Sequence, residues 1–132
     1  MKVVVGYIRS PEGRAALDAA VQEARLRDAE LLVLHSMKGG TRDEERETLE
    51  YAEELERVRQ RLAAEGIRHE VRELVRGMSP AEDLVDVARE EGAGLIVIGL
   101  RRRSPVGKLV LGSNAQDILL NADCPVLAVK AD

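Results

Sequence analysis

Three uninterrupted runs of aliphatic residues, Val3-Val4-Val5, Leu31-Leu32-Val33-Leu34 and Leu95-Ile96-Val97-Ile98, restrict the fold more than any other feature of the chain. A strand with one face in water alternates apolar and polar residues, so a strand that does not alternate must have both faces covered. Helical patterns stand between the runs. Strands alternating with helices pair in parallel, with right-handed crossovers that place helices on both faces of the sheet. The chain therefore reads as a single doubly wound α/β domain of 132 residues, a length that suits one core.

The punctuation supports this reading element by element. A first strand over residues 2–8 meets Ser10, a helix cap, with Pro11 in the first turn, and Leu17, Ala20, Val21 and Ala24 then mark one buried helical face ending near Asp28. After the second strand, Gly39-Gly40 breaks the chain, and Thr41 with Glu44 forms a capping box before a charged helix striped by Ala52, Leu55, Val58 and Leu62. Gly66 ends that helix. Residues 67–75 alternate weakly, with Ile67, His69, Val71 and Glu73 on one face, as an edge strand would. Ser79, Pro80 and Glu82 open a third helix whose inner face is Ala81, Leu84, Val85 and Ala88, and Gly92 and Gly94 stop it. The fourth strand, the most apolar, is expected in a central position. Ser113 and Gln116 supply a further capping box, Ala115, Ile118, Leu119 and Ala122 an inward face, and residues 125–129 a closing fifth strand.

A net charge of −4 argues against broad binding to nucleic acid or anionic membrane, which needs surplus Lys and Arg. No apolar run approaches the roughly 20 residues that span a bilayer, and the single cysteine, Cys124, has no internal disulfide partner. These features point to the cytoplasm.

The basic residues that matter are concentrated in residues 99–114, between the fourth strand and the next helix. Ligands of open α/β sheets bind beyond the carboxyl ends of strands, where strand order reverses. Gly99 and Gly112 allow close backbone approach, the amides before Ala115 lie at the positive end of a helix, and Ser113 adds a hydroxyl. Arg101, Arg102, Arg103 and Lys108 supply charge for a polyphosphate. The segment is not a P-loop: Arg102 stands where its first glycine belongs and Leu109 where magnesium needs Ser or Thr. Nor does Gly6-Tyr7-Ile8-Arg9-Ser10 carry the dinucleotide glycine spacing. His35 and His69 have no Cys or carboxylate at recognised metal spacing, and Cys124 no evident base, so structural roles are expected for all three and no metal or catalytic residue is assigned.

At this loop the sequence resembles the universal stress protein family, whose motif is Gly, two residues, Gly, nine residues, Gly, then Ser or Thr. Gly99, Gly112 and Ser113 fall in register, with Arg102 at the second glycine. The likeness extends along the chain through Val-Val-Val-Gly before Ser-Pro-Glu, Leu-Leu-Val-Leu-His, Ala-Gly-Leu-Ile-Val-Ile-Gly and the ending Cys-Pro-Val-Leu-Ala-Val-Lys. The resemblance implies a sheet of five parallel strands in the order 3-2-1-4-5. It implies ATP or a related adenine nucleotide, with or without magnesium, between the first and fourth strand ends. Adenine or ribose would lie near Tyr7, Ile8, Ser36 and Ile98, and phosphates near Gly99, Arg101, Arg102, Gly112, Ser113 and Asn114. The aspartate that the family commonly carries at the end of the first strand is here Ile8. The resemblance also implies a homodimer paired through the last strand, Val126-Leu127-Ala128-Val129, and a non-catalytic sensor or regulator of the stress response. The alternative is a homodimeric interaction protein of the same fold that binds no nucleotide, with Arg102 and Ile8 closing the crevice. An ATP hydrolase or nucleotidyl transferase is the weakest reading, because no carboxylate pair or general base is placed beside the loop.

Overall fold

A computed structural model describes residues 1–37, 44–75, 77–101 and 111–131. Its elements run β1 (Lys2–Gly6), α1 (Pro11–Arg27), β2 (Glu30–Met37), α2 (Glu44–Ala64), β3 (His69–Val75), α3 (Pro80–Glu90), β4 (Leu95–Leu100), α4 (Ser113–Asn121) and β5 (Val126–Lys130). The five strands form one parallel sheet in the order β3-β2-β1-β4-β5. β1 is the middle strand, β4 is interior between β1 and β5, and β3 is an edge as its weak alternation foretold. Val3, Val4 and Val5 are all fully buried because both faces of β1 are covered. Val3 and Val5 meet Ala16, Leu17, Ala20, Val21 and Ala24 of α1 and Leu55, Val58 and Leu62 of α2 in one cluster. Val4 packs on the other face with Ala81, Leu84, Val85 and Ala88 of α3 and Ile118 of α4.

Capping fixes where the helices begin. Ser10 accepts the Gly13 amide at 3.0 Å and Ser79 the Glu82 amide at 3.2 Å, each followed by proline at the helix start. The chain leaves α2 and α3 through Gly66 and Gly92, at φ of 70° and 62°, where a side chain would be strained. Three expectations are corrected. The inward position near the start of α2 is Tyr51, which continues the Leu55, Val58 and Leu62 stripe at helical spacing, while Ala52 is exposed. The α4 cap is Gly112 with no side-chain hydrogen bond, so the Ser113 and Gln116 capping box does not form. On α4 only Ile118 is fully buried, and Leu119 is 43% exposed because that short helix touches the core along a narrow line. Thr41 lies outside the described residues. Among the described residues no helix is long and apolar enough to cross a membrane.

Candidate functional site

Strand order reverses at β1, whose two neighbours leave it in opposite directions along the chain, and a crevice opens there beyond the strand ends. Its floor and walls are Gly6 and Ile8 from β1 and its loop, Leu34 and Ser36 from β2, and Ile98 and Gly99 from β4. Side chains alternate along a strand, so Leu34, Ile98 and the α3 residues Ala81 and Leu84 turn one aliphatic face toward it. The volume is about 150 Å³. An engineered apolar cavity of that size holds benzene, so this one has room for a flat heterocycle with the rest of a larger ligand outside.

Three helices point their N-termini at the crevice. Glu12 and Gly13 of α1, Pro80 and Ala81 of α3, and Asn114 and Ala115 of α4 line it. Two of these ends are self-capped by Ser10 and Ser79. The third is capped by Gly112, which has no side chain to accept the first-turn amides. Among the described residues no side chain caps those amides, and a helix N-terminus of this kind, at the positive end of the dipole, suits an anion. Ser113 and Asn114 are exposed there, and Arg101 is exposed just past β4. The Ser113 hydroxyl makes no hydrogen bond among the described residues, because as the first helical residue rather than the cap it is not used to hold the helix end.

Gly99 has a packing reason beyond its place in the loop. A Cβ there would come within 2.0 Å of the Glu12 carbonyl oxygen, and one at Gly13 within 1.9 Å of the Ile8 carbonyl oxygen. The two glycines let the first turn of α1 press onto the ends of β1 and β4, which brings Glu12 to the crevice. Gly112 has φ −72° and ψ 166°, extended values open to any residue, so what its lack of a side chain provides is space at the helix end.

Compared with known proteins, residues 1–130 match the universal stress protein family. The chain belongs to that family. A universal stress protein of Mycolicibacterium smegmatis is 41% identical over 128 residues, covering 97% of this chain and 96% of its own. A universal stress protein structure from Archaeoglobus fulgidus is 41% identical with a TM-score of 0.86, covering 98% of both chains. A structure of the universal stress protein from Archaeoglobus fulgidus in complex with dAMP is 37% identical, with a TM-score of 0.78 and the same coverage.

Within this universal stress protein fold the sequence-predicted residues separate into four groups. Ile8, Ser36, Ile98, Gly99 and Asn114 line the crevice directly, while Gly112 and Ser113 stand at the start of α4 and Arg101 just past β4, outside that lining. Arg102 lies outside the described residues, with Arg103, Ser104 and Lys108. Tyr7 touches the crevice, but its ring packs in the core on the opposite sheet face, 3% exposed. Its hydroxyl donates to Glu54, and burial first, then that bond, raises the phenol above its ordinary value. The Tyr7 carbonyl accepts the Nδ1 proton of His35 at 2.9 Å, since a carbonyl only accepts. His35 stacks on Tyr51 with ring centroids 3.7 Å apart, and Nδ1 of His69 donates to the Ile67 carbonyl at 2.7 Å. Burial raises the half-buried Cys124 thiol, which suits packing rather than a nucleophile. Among the described residues no group of three or more His, Cys, Asp or Glu could hold a metal ion.

Two acidic residues at the site escaped the sequence reading. Glu12 was noticed only within Ser-Pro-Glu, yet its place in the first turn of α1 puts it on the rim. Asp83, fully buried on α3, accepts the Ser36 hydroxyl. Its signal was an aspartate beside Leu84 and Val85 on an apolar helical face, easily mistaken for one more solvated charge.

Proposed function

We propose that the protein binds ATP or a related adenine nucleotide, free or with magnesium, and uses occupancy as a non-catalytic sensor or regulator of the cytoplasmic stress response. The observation that carries this reading is the junction of an aliphatic crevice with the α4 N-terminus, whose Gly112 cap leaves amides for an anion. The base lies against Leu34, Leu84 and Ile98, with Tyr7 reached only at its backbone. The ribose lies beside Ile8 and Glu12, where the Glu12 carboxylate supplies an acceptor that Ile8 lacks. The phosphates meet Gly112, Ser113 and Asn114, and Arg101 and Arg102 supply charge beside Gly99. The 37% identical relative solved with dAMP supports an adenine ligand. The same reading includes a homodimer through β5, whose outer edge has no partner strand within the described chain, since an unpaired apolar edge is a pairing surface.

Calorimetric titration with ATP, ADP, AMP and cyclic AMP tests the site. Binding is expected, weakened in Ser113→Ala and more in Gly112→Val, where a branched side chain crowds the anion position. No heat from any of the four at millimolar concentration refutes the proposal and returns the protein to the reading of a dimeric interaction module.

A further inference from the structure

Asp83 is buried at 0% exposure, and a carboxylate so placed is costly unless donors hold it. One of those donors is the hydroxyl of Ser36. Ser36 belongs to the crevice wall with Leu34, Ala81 and Leu84, and its three neighbours there offer no side-chain polar group. A serine hydroxyl has one hydrogen and two lone pairs. With the hydrogen directed to Asp83, the Ser36 oxygen can only accept.

We propose that Ser36, oriented by Asp83, selects a nucleobase carrying an exocyclic amino group over one carrying a carbonyl at the same place. The inference rests on the reading that a base occupies the crevice. An amino group of adenine donates to the Ser36 oxygen. The carbonyl of hypoxanthine, of nearly the same shape, sets oxygen against oxygen and leaves both acceptors unpaired. Ser36 touches the base, and Asp83 is a positioning residue that fixes the direction of the hydroxyl.

The test is calorimetric titration of the full chain with AMP and with IMP, which carry the 6-amino and the 6-oxo group. The parent protein is expected to favour AMP by roughly ten- to hundred-fold, the range set by an opposed buried hydrogen bond. Ser36→Ala should bring the ratio to within about threefold of one by removing the acceptor. In Asp83→Asn the new amide donates to the Ser36 oxygen and frees the hydroxyl hydrogen for a carbonyl, so IMP gains while AMP loses. A purely structural role for Asp83 would weaken both ligands together and leave the ratio unchanged. The parent measurement needs no variant, so a poorly folding Asp83→Asn does not shield the inference. Equal binding of AMP and IMP by the parent, or an unchanged ratio in Ser36→Ala, overturns this inference while the nucleotide site stands. Failure of the parent to bind either ligand overturns both.

Discussion

The explanation of Gly99 as a helix-docking residue, rather than one reserved for ligand, can be tested with Gly99→Ala in the ligand-free protein. The added Cβ would lie 2.0 Å from the Glu12 carbonyl oxygen, 2.6 Å from its carbon and 3.0 Å from the Glu12 Cβ. Since real Cβ atoms essentially never approach closer than 3.0 Å, the first turn of α1 must retreat by about 1 Å. The obstacle is backbone, and the helix behind it is held by Ala16, Leu17, Ala20 and Val21 in the core, so it cannot swing aside cheaply. Overpacking costs about 1–3 kcal/mol, with rigid backbone at the upper end. Removing a glycine returns only about 0.4–1 kcal/mol through the unfolded chain. The net expectation is a loss of about 2 kcal/mol, a drop in Tm of roughly 8 °C for a chain of this size. Urea and thermal unfolding of the empty protein measure it. A loss under about 0.5 kcal/mol, with only nucleotide affinity reduced, would show that glycine is there for the ligand and that the docking argument is wrong.

Two other expectations follow from the same geometry. The bond from Tyr7, then that from Arg57, holds the Glu54 carboxyl below its usual 4.5, so its contribution is present above that value and is lost as pH falls through the lower folded value. Tyr7→Phe should cost about 1.5 kcal/mol at pH 7 and flatten the acid-side loss in urea titrations between pH 3 and 7, and an unchanged pH profile would exclude the pairing. For the β5 interface, sedimentation at micromolar concentration should give twice the 14.5 kDa chain mass, and a monomer would remove the dimer from the proposal.

The fold was legible because its signals are local and redundant. Unbroken aliphatic runs, serine caps followed by proline, and the exit glycines Gly66 and Gly92 each state a boundary within a few residues. The errors came where tertiary contact decides. Nothing in the spacing of Ser113 and Gln116 says that the cap will fall one residue earlier, on Gly112. Leu119 fits an inward helical position, yet α4 is too short and peripheral to bury it. The strand parity that sends Tyr7 to one face and Gly6 and Ile8 to the other was also available in the sequence. Gly99 and Asp83 were the hardest, because the reason for each is a partner from another element: Glu12 of α1 for the first, Ser36 of β2 for the second.

That parity also explains how so aliphatic a chain builds the mouth of its site. The sequence has two tyrosines, no phenylalanine and no tryptophan, and it uses both tyrosines on the sheet face opposite the crevice. Tyr51 accepts the Arg9 amide at 3.2 Å, carries the Arg9 guanidinium 5.6 Å from its ring centroid and stacks on His35, while Glu50 pairs with Arg9 at 3.1 Å. Tyr7 reaches Glu54 one helical turn further along α2. The loop that presents Ile8 to the crevice is thus tied from behind to α2 through Arg9 and Tyr7. Leu34, Leu84 and Ile98 give the crevice an aliphatic wall. Apolar contact of this kind scarcely distinguishes one purine from another, which leaves discrimination to the few polar groups on the wall.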